Sequence, residues 1–433
     1  GLKGAEHNEE RRQIQMSKLL EEILGDENMT KALEKVKSKK GAGGIDGMTV
    51  EEAGGCLQEN METIRDKIRR RRYKPQPVRR VEIAKPDGGV RKLGIPTVVD
   101  RVIEQAIAQV LTPIAEPNFS DYSYGFRPKR RAQQAIVKLL EYFNDGYTYV
   151  VDIDLEKFFD NVPQDKLMGL VHKLINDPDT ESLIRKYLNA GAMVEGNYEQ
   201  SLTGTPQGGN LSPLLSNIML NELDKELEAR GLHFVRYADD CIIAVGSSAA
   251  ANRVMATVTK WIERKLSLKV NATKTKVTRP NKLKYLGFGF WKGQDGWRAK
   301  PHQDSIKHFE RKLKKLTKRS WSVSMDYRIK KLNQVIRGWI NYFRMGSMKK
   351  ILEKIDGRLR TRMRIVIWKQ WKTREKRLWG LRKLKVDEEY AMQSVGCANH
   401  YQVAAKTYGL RFGITKEILT KRGLLSCLDY YLN

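Results

Sequence analysis

The spacing of hydrophobic positions along this chain changes repeatedly, and each change predicts a helix or a strand. The segments with helical spacing are residues 16–72 with a glycine-rich break at 41–44, then 99–111, 132–143, 165–190, 214–229 and 249–266. The segments with strand character are 78–83, 90–95, 149–155, 234–237 and 241–245. Strands that alternate with helices in this way imply a mixed α/β core.

Beyond about residue 301 the pattern becomes helical and basic. Ile329, Leu332, Ile336 and Ile340 fall on one face of a predicted helix, with lysines and arginines on the other face. A second basic helix is predicted around 351–363. This part of the chain is expected to form a separate all-helical domain, whereas residues 386–433 give the weakest pattern.

Composition and charge narrow the class of partner. The 433 residues are 40% hydrophobic, which is enough for sizeable cores, and no run of about 18 apolar residues predicts a membrane span. The net charge is +29, and residues 298–385 alone hold 29 Lys and Arg against 6 Asp and Glu, a balance of +23. A solubilising surface needs far less charge, and no lipidation motif points to a membrane. Nucleic acid is therefore the expected partner.

The cysteines indicate a reducing compartment. The four cysteines, at 56, 241, 397 and 427, are scattered and form no Cys-x-x-Cys pair, so neither disulfides nor structural zinc are expected. Residues 1–15 are polar and lack the apolar core of a signal peptide. They are expected to be a loose extension or foreign to the native protein. We expect the protein to act in an intracellular, reducing compartment.

Two neighbouring acids carry the most chemical information. Asp239 and Asp240 lie between two apolar strands, so they are expected at the tip of a hairpin. Adjacent carboxylates repel each other unless a cation lies between them, and hard oxygen ligands favour Mg²⁺. The alternative is an ordinary hairpin turn, in which Asp is common.

A third acid on another strand favours the metal site. Asp152 and Asp154 share one face of the strand 149–155 by its period of two. A phosphoryl-transfer site needs acids from at least two chain segments to hold two metal ions. Asp154 is the expected ligand; Asp152 is the alternative ligand or a support for the strand.

Ordered motifs then identify a family. Residues 85–101, 150–160, 204–213 and 235–245 resemble, in order, reverse transcriptases encoded by bacterial group II introns. The resemblance covers nearly the whole chain from Met16. It implies an α+β fold, the right-hand polymerase of fingers, palm and thumb. The implied divisions are fingers with the N-terminal extension (16–145), palm with an inserted fingers segment (146–300), helical thumb or X domain (301–372) and DNA-binding region (373–433).

The resemblance also implies roles for individual residues. Asp154, Asp239 and Asp240 would be the catalytic metal ligands, with a metal contact at Leu155, and Lys274 would protonate the departing pyrophosphate. Phe159 resembles a steric gate whose ring would collide with the 2′-hydroxyl of a ribonucleotide. A core phenylalanine is the alternative at this position, and Phe158 is the alternative gate.

Further implied contacts involve the substrates. Lys85, Arg91 and Gln207 resemble nucleotide contacts, with a solvated hairpin face and a plain Gly-rich turn as the alternatives. The implied primer and template contacts are Tyr237, Gly208, Gly209, Tyr285, Leu286 and Gly287. The segment 123–128 (Ser-Tyr-Gly-Phe-Arg-Pro) is expected to brace fingers against palm, with a template contact as the alternative.

The expected activity is extension of a primer 3′-hydroxyl on an RNA template with two Mg²⁺ ions; Mn²⁺ would satisfy the same oxygens. The implied partners are an RNA template, group II intron RNA, a DNA primer or target and deoxynucleoside triphosphates, with the protein a monomer or homodimer. No paired cysteines of an endonuclease follow the DNA-binding region, so a group IIC-like enzyme that uses an existing 3′-hydroxyl is expected. The alternatives are a splicing maturase as the main role, or a repurposed bacterial reverse transcriptase in defence or diversity generation.

Overall fold

The computed structural model describes residues 17–84, 89–194, 196–200, 203–205, 208–397 and 399–433. The chain divides into two compact units, residues 1–278 and residues 279–433. The predicted extension 1–15 lies outside the described residues. The division into fingers, palm and thumb stays a prediction.

Helices of the first unit match the predicted segments closely. They are α1 (Lys18–Leu24), α2 (Asp26–Ser38), α3 (Glu52–Arg69), α4 (Val98–Ala115), α5 (Ala132–Asn144), α6 (Phe158–Asn161), α7 (Gln164–Ile175), α8 (Pro178–Leu188), α9 (Ser212–Ala229) and α10 (Ser248–Trp261), which continues as a π-turn over Ile262–Leu266. Several begin where a polar side chain accepts a hydrogen bond from the first turn. Ser17, Thr97, Asp177 and Ser247 act in this way.

The strands of the first unit form two sheets. They are β1 (Val78–Ala84), β2 (Val90–Ile95), β3 (Tyr149–Ile153), β4 (Ala192–Val194), β5 (Asn197–Glu199), β6 (His233–Tyr237), β7 (Asp240–Val245) and β8 (Lys276–Thr278). One sheet has the order β2-β1-β4-β5, with β1 and β4 parallel. The other, called the central sheet below, has the order β6-β7-β3-β8 and is antiparallel throughout.

The central sheet has one face in the core and one face that carries acids. Val151 and Ile153 of β3 and Ile243 of β7 belong to the main hydrophobic core, together with side chains of α4 and α9. Because side chains alternate along a strand, Asp152 of β3 and Asp240 of β7 project from the opposite face. The predicted mixture of helices and strands is therefore confirmed.

The second unit is mainly helical, as predicted. It contains the hairpin of β9 (Phe288–Gly293) and β10 (Gly296–Pro301), followed by α11 (Gln303–Leu316), α12 (Met325–Phe343), α13 (Lys349–Gln370), α14 (Arg374–Lys383), α15 (Glu388–Gly396), α16 (Tyr401–Ala404), α17 (Tyr408–Gly413), α18 (Lys416–Lys421) and α19 (Cys427–Leu432). Asp356 of α13 accepts hydrogen bonds from the main-chain nitrogens of Cys427 and Leu428, which ties the last helix to the long one.

Aromatic side chains fill much of the second unit's interior. Trp368 is fully buried, and the ring of Trp339 stacks on that of Phe309 with centroids 4.4 Å apart. These rings stabilise the packing of the helices, which leaves basic side chains to form the outer surface. In the described part of the chain, no helix is both long and apolar enough to cross a membrane.

Candidate active site

A tight turn carries the two adjacent acids. β6 and β7 pair up to Tyr237 opposite Asp240, so Ala238 and Asp239 form the two-residue turn between them. Ala238 has a φ of 57°, a left-handed conformation that costs energy for a residue with a side chain. Asp239 is half-buried and Asp240 is exposed at the start of β7. The predicted placement of both acids at a hairpin tip is confirmed.

Asp154 comes to the same end of the central sheet. Ile153 of β3 pairs with Cys241 of β7, so Asp154 follows at the position next to Asp240. The paired residues Ile153 and Cys241 both face the core. Asp154 and Asp240 are the next residues along their strands, so both lie on the opposite face. Two strands distant in sequence thus bring carboxylates to the same end of the sheet, and Tyr237 is paired with Asp240 there.

A loop distant in sequence holds Asp154 in place. The main-chain nitrogen of Asp154 donates to Thr275 Oγ1 at 3.1 Å, and its carbonyl accepts from the nitrogen of Asn271 at 2.8 Å. Leu155 forms a bridge with Val270 just before that loop. Lys274 is an exposed residue of this same loop. The role of Lys274 in proton transfer remains a prediction.

Asp152 has a different environment from Asp154. It lies within the sheet, opposite Ile242 on one side and Lys276 on the other. Burial, helped by the charge of Asp154, raises the pKa of Asp152 to about 6, while Lys276 opposes the shift. This position inside the ladder fits a support for the strand better than a metal ligand.

A buried ion pair beneath the hairpin was not predicted from the sequence. Arg236 and Asp224 are fully buried and joined by two hydrogen bonds, Nε to Oδ1 at 2.7 Å and Nη2 to Oδ2 at 2.5 Å. Arg236 Nη1 also donates to the carbonyl of Ala238 at 2.8 Å. The guanidinium therefore ties helix α9 to the turn that carries Asp239. An arginine next to Tyr237 gave no sign of burial in the sequence.

The segment 122–125 lies along the free edge of β6. Arg236 donates its main-chain N–H to the carbonyl of Tyr122, and its own carbonyl accepts from Tyr124. A Cβ at Gly125 would come within 2.2 Å of the nitrogen of Ala238, so only glycine permits this approach. Asn217 of α9 donates to the carbonyl of Gly125. The segment supports the turn that carries Asp239 from the side.

The two candidate gate residues differ in burial. Phe158 is buried in the core, whereas Phe159 is only partly buried and packs against it, with ring centroids 5.2 Å apart. The carbonyl of Phe159 accepts a hydrogen bond from the nitrogen of Thr205 at 2.6 Å. A core role therefore falls to Phe158, which leaves Phe159 as the candidate gate.

Helix α4 anchors the glycine pair. The Glu104 carboxylate is buried and accepts a hydrogen bond from the nitrogen of Asn210 at 2.5 Å. Burial raises the pKa of Glu104 to about 8. Gly208 has a φ of 119°, and a Cβ there would meet the carbonyl oxygen of Gly94 at 2.3 Å. The described part of the loop is thus held against both β2 and α4.

Several predicted contact residues fall outside the described residues or belong to the second unit. Lys85, Gln207 and the side chain of Arg91 lie outside the described residues. Tyr285, Leu286 and Gly287 belong to the second unit, where they form a tight turn in which Tyr285 and Phe288 exchange main-chain hydrogen bonds. The hydroxyl of Tyr342 donates to the carbonyl of Leu286 at 3.0 Å, which fixes that turn to helix α12.

The donor set fits a hard divalent cation. Asp154, Asp239 and Asp240 offer only carboxylate oxygens, and they lie at one solvent-accessible edge of the central sheet. Within the described ranges, no group of three or more His, Cys, Asp and Glu side chains is already gathered closely enough to hold a metal ion. The pairing of the strands brings these three acids to the same end of the sheet. That they bind metal ions stays a prediction.

Comparisons with known proteins agree with this geometry. The family model for reverse transcriptase (RNA-dependent DNA polymerase) matches residues 83–290. The model for the group II intron maturase-specific domain matches residues 306–384. The chain is therefore a reverse transcriptase, which is an RNA-directed DNA polymerase, joined to a maturase-specific domain. Reverse transcriptases generally use divalent metal ions.

Individual relatives define the family. Protein YkfC of Escherichia coli (strain K12) is 32% identical over 62% of this chain and 81% of its own length. The group II intron-encoded protein LtrA of Lactococcus lactis is 32% identical over 59% of this chain and 54% of its own, so the chain spans about half of LtrA. A chain of the partial Cas6-RT-Cas1–Cas2 complex is 25% identical over 57% of this chain and 43% of its own, with a TM-score of 0.37. This protein belongs to the group II intron reverse transcriptase/maturase family.

The buried ion pair predicts a large loss of stability when one partner is removed. Arg236→Met leaves the Asp224 carboxylate buried without its cation, and we expect the free energy of unfolding to fall by about 3–5 kcal/mol. Urea denaturation would measure this change. The matched control is Arg230→Met, which breaks the more exposed pair with Glu226 and should cost less than about 1 kcal/mol. Equal losses in the two variants would contradict the assignment.

Glu104 predicts a pH-dependent stability. Its pKa is about 8 in the folded protein and near 4.5 when unfolded, so the folded state binds more protons between these values. Stability from this group is complete below about pH 4.5 and is lost as the pH rises through 8. Between these two pH values, the free energy of unfolding of the wild type should therefore fall more steeply with pH than that of Glu104→Gln, by up to about 1.4 kcal/mol per pH unit. Urea denaturation at several pH values measures both proteins. The same dependence of the free energy of unfolding on pH in wild type and Glu104→Gln would refute the prediction.

Proposed function

We propose that this protein extends the 3′-hydroxyl of a primer on an RNA template, using deoxynucleoside triphosphates. The observation that carries the proposal is the placement of Asp154 and Asp240 on one face of the central sheet, with Asp239 at the adjoining turn. Carboxylates from two chain segments at one accessible edge are what two-metal phosphoryl transfer requires. The matching reverse-transcriptase family supports the same reaction.

Asp154, Asp239 and Asp240 would hold two Mg²⁺ ions. When bound, such ions activate a 3′-hydroxyl and neutralise charge on the triphosphate. The residues of the chain supply position: the turn at Ala238 fixes the two adjacent acids, and the 271–275 loop fixes Asp154. Lys274, on that same loop, would give a proton to the departing pyrophosphate.

Phe159 would select the sugar. Its ring is packed against Phe158 on one side, so it has little freedom to retreat from a nucleotide bound near Asp154. A 2′-hydroxyl at that position would meet the ring, and a 2′-hydrogen would not. The anchored Gly208–Gly209 backbone would contribute the opposite wall under the new base pair.

A second function is favoured by the second unit. Residues 306–384 match the maturase-specific domain, and residues 298–385 carry a balance of +23. Structured intron RNA would bind such a surface mainly through its phosphates, with counterion release. We propose that the protein also stabilises the folded intron during splicing, and that a DNA target is contacted by the residues after 373.

The metal assignment predicts a separation of catalysis from binding. Asp239→Ala should abolish primer extension on an RNA template, while RNA affinity in a filter-binding assay changes less than about twofold, because the acid binds cations and not phosphates. Asp152→Asn is the matched control, since Asp152 lies inside the sheet. We expect this variant to keep measurable extension; normal extension by Asp239→Ala would disprove the assignment.

The gate assignment predicts a change in sugar selection. Phe159→Ala should raise the incorporation of ribonucleotides relative to deoxynucleotides by at least about tenfold, because the ring that excludes the 2′-hydroxyl is gone. Single-nucleotide extension with matched triphosphates measures the ratio. Phe158→Leu, a core change, should lower stability and leave the ratio unaltered. If the ratio moved only in Phe158→Leu, the gate would be Phe158.

A further inference from the structure

A basic cavity lies within the second unit. It has a volume of about 560 Å³ and opens between the turn after α11, the middle of α13 and the short helix α16. Its size lies within the range of small-ligand sites, and one nucleotide would fit. The cationic residues Lys318, Arg319 and Arg362 line it together with Tyr401.

The charge of the cavity is not neutralised by its surroundings. None of the described residues that line it is acidic, and within the described ranges Lys318, Arg319 and Arg362 form no salt bridge. Unpaired cations that converge on a concave surface attract an anion strongly, because the walls exclude water and focus the field. The ligand is therefore expected to carry negative charge.

Arg362 forms a fixed base for the cavity. Its Nε donates to Thr317 Oγ1 at 2.5 Å, and its Nη2 donates to the carbonyls of Lys314 and Thr317 at 3.0 and 3.2 Å. Thr317 itself is buried. These neutral acceptors orient the guanidinium without cancelling its charge. A guanidinium held in this way is suited to a phosphate oxygen.

Tyr401 adds a flat apolar surface to the charge. The guanidinium carbon of Arg319 lies 4.5 Å from the centre of the Tyr401 ring, and Lys369 Nζ lies 5.9 Å from it. Val403, which is 54% exposed, extends the apolar wall at the same helix. A free phosphate would use the cations alone, whereas a nucleotide would use both the cations and the stack.

We propose that this cavity binds one unpaired nucleotide of a nucleic-acid strand, with the phosphate on Arg362 and Lys318 and the base on the Arg319–Tyr401 stack. This inference rests on the proposed nucleic-acid function and adds a defined site to a surface that would otherwise act by charge alone. It predicts a preference for single strands over duplexes at this part of the protein.

Binding of a 12-nucleotide single strand, as RNA and as DNA, would be measured by fluorescence anisotropy at several salt concentrations, without triphosphates. Tyr401→Leu should weaken single-strand binding by about 5- to 50-fold, the effect of losing one stacked base, and Tyr401→Phe should restore it. Lys318→Gln, which removes a proposed phosphate contact, should reduce the log–log salt slope by about 0.7. A blunt duplex should lose less than about threefold.

Arg337→Gln is the matched charge control, since Arg337 is exposed on α12 and outside the cavity. The proposal would be overturned if Tyr401→Leu lost no more affinity for single strands than this control does. It would also be overturned if Tyr401→Leu lost as much affinity for the duplex as for the single strand. Titration with inorganic pyrophosphate tests the other source of phosphate: pyrophosphate binding that disappears in Lys318→Gln while strand affinity stays unchanged would also overturn the proposal. Because triphosphates are absent, an inactive polymerase would not alter these outcomes.

Discussion

The buried pair of Arg236 and Asp224 is the interaction on which the candidate active site depends. Removing two charges from water is costly, and the cost is offset here by two direct hydrogen bonds and further donation to Asn217 and the carbonyl of Ala238. That last bond holds a residue with a φ of 57°. The strained turn persists because the structure beneath it is fixed, and the two acids at its tip inherit that fixed position.

The same principle recurs at the other elements of the site. The main chain of Asp154 donates to the Thr275 hydroxyl and accepts from the nitrogen of Asn271. The loop of the glycine pair is held where the buried Glu104 carboxylate accepts from the nitrogen of Asn210. In each case a candidate functional residue is held by a neighbour more than a hundred residues away. Pre-positioned groups of this kind lower the cost of reorganisation during phosphoryl transfer.

The second unit separates packing from charge. Its aromatic residues at first suggest stacking on bases, but Trp368 is fully buried and the half-buried Trp339 stacks on the buried Phe309. Tyr401 differs because it lines a basic cavity. A surface with a balance of +23 therefore combines general attraction for phosphates with one place where a base can also be recognised.

Hydrophobic spacing and motif order are local properties, so they predicted most helices and strands of the first unit, the family and the three candidate aspartates. The hairpin at Asp239 and Asp240 and the helices around 329–340 and 351–363 were predictable for this reason, whereas the strands β4, β5 and β8 and the short helices after residue 386 were not. The three-dimensional contacts were needed to show that Asp154 lies beside Asp240 on one face of the sheet and that Phe158, not Phe159, is a core residue. They also showed that Arg236, Asp224 and Glu104 are buried and hold the segments around the candidate site in place. Burial and pairing depend on residues far apart in the chain, and no local pattern records which of them meet.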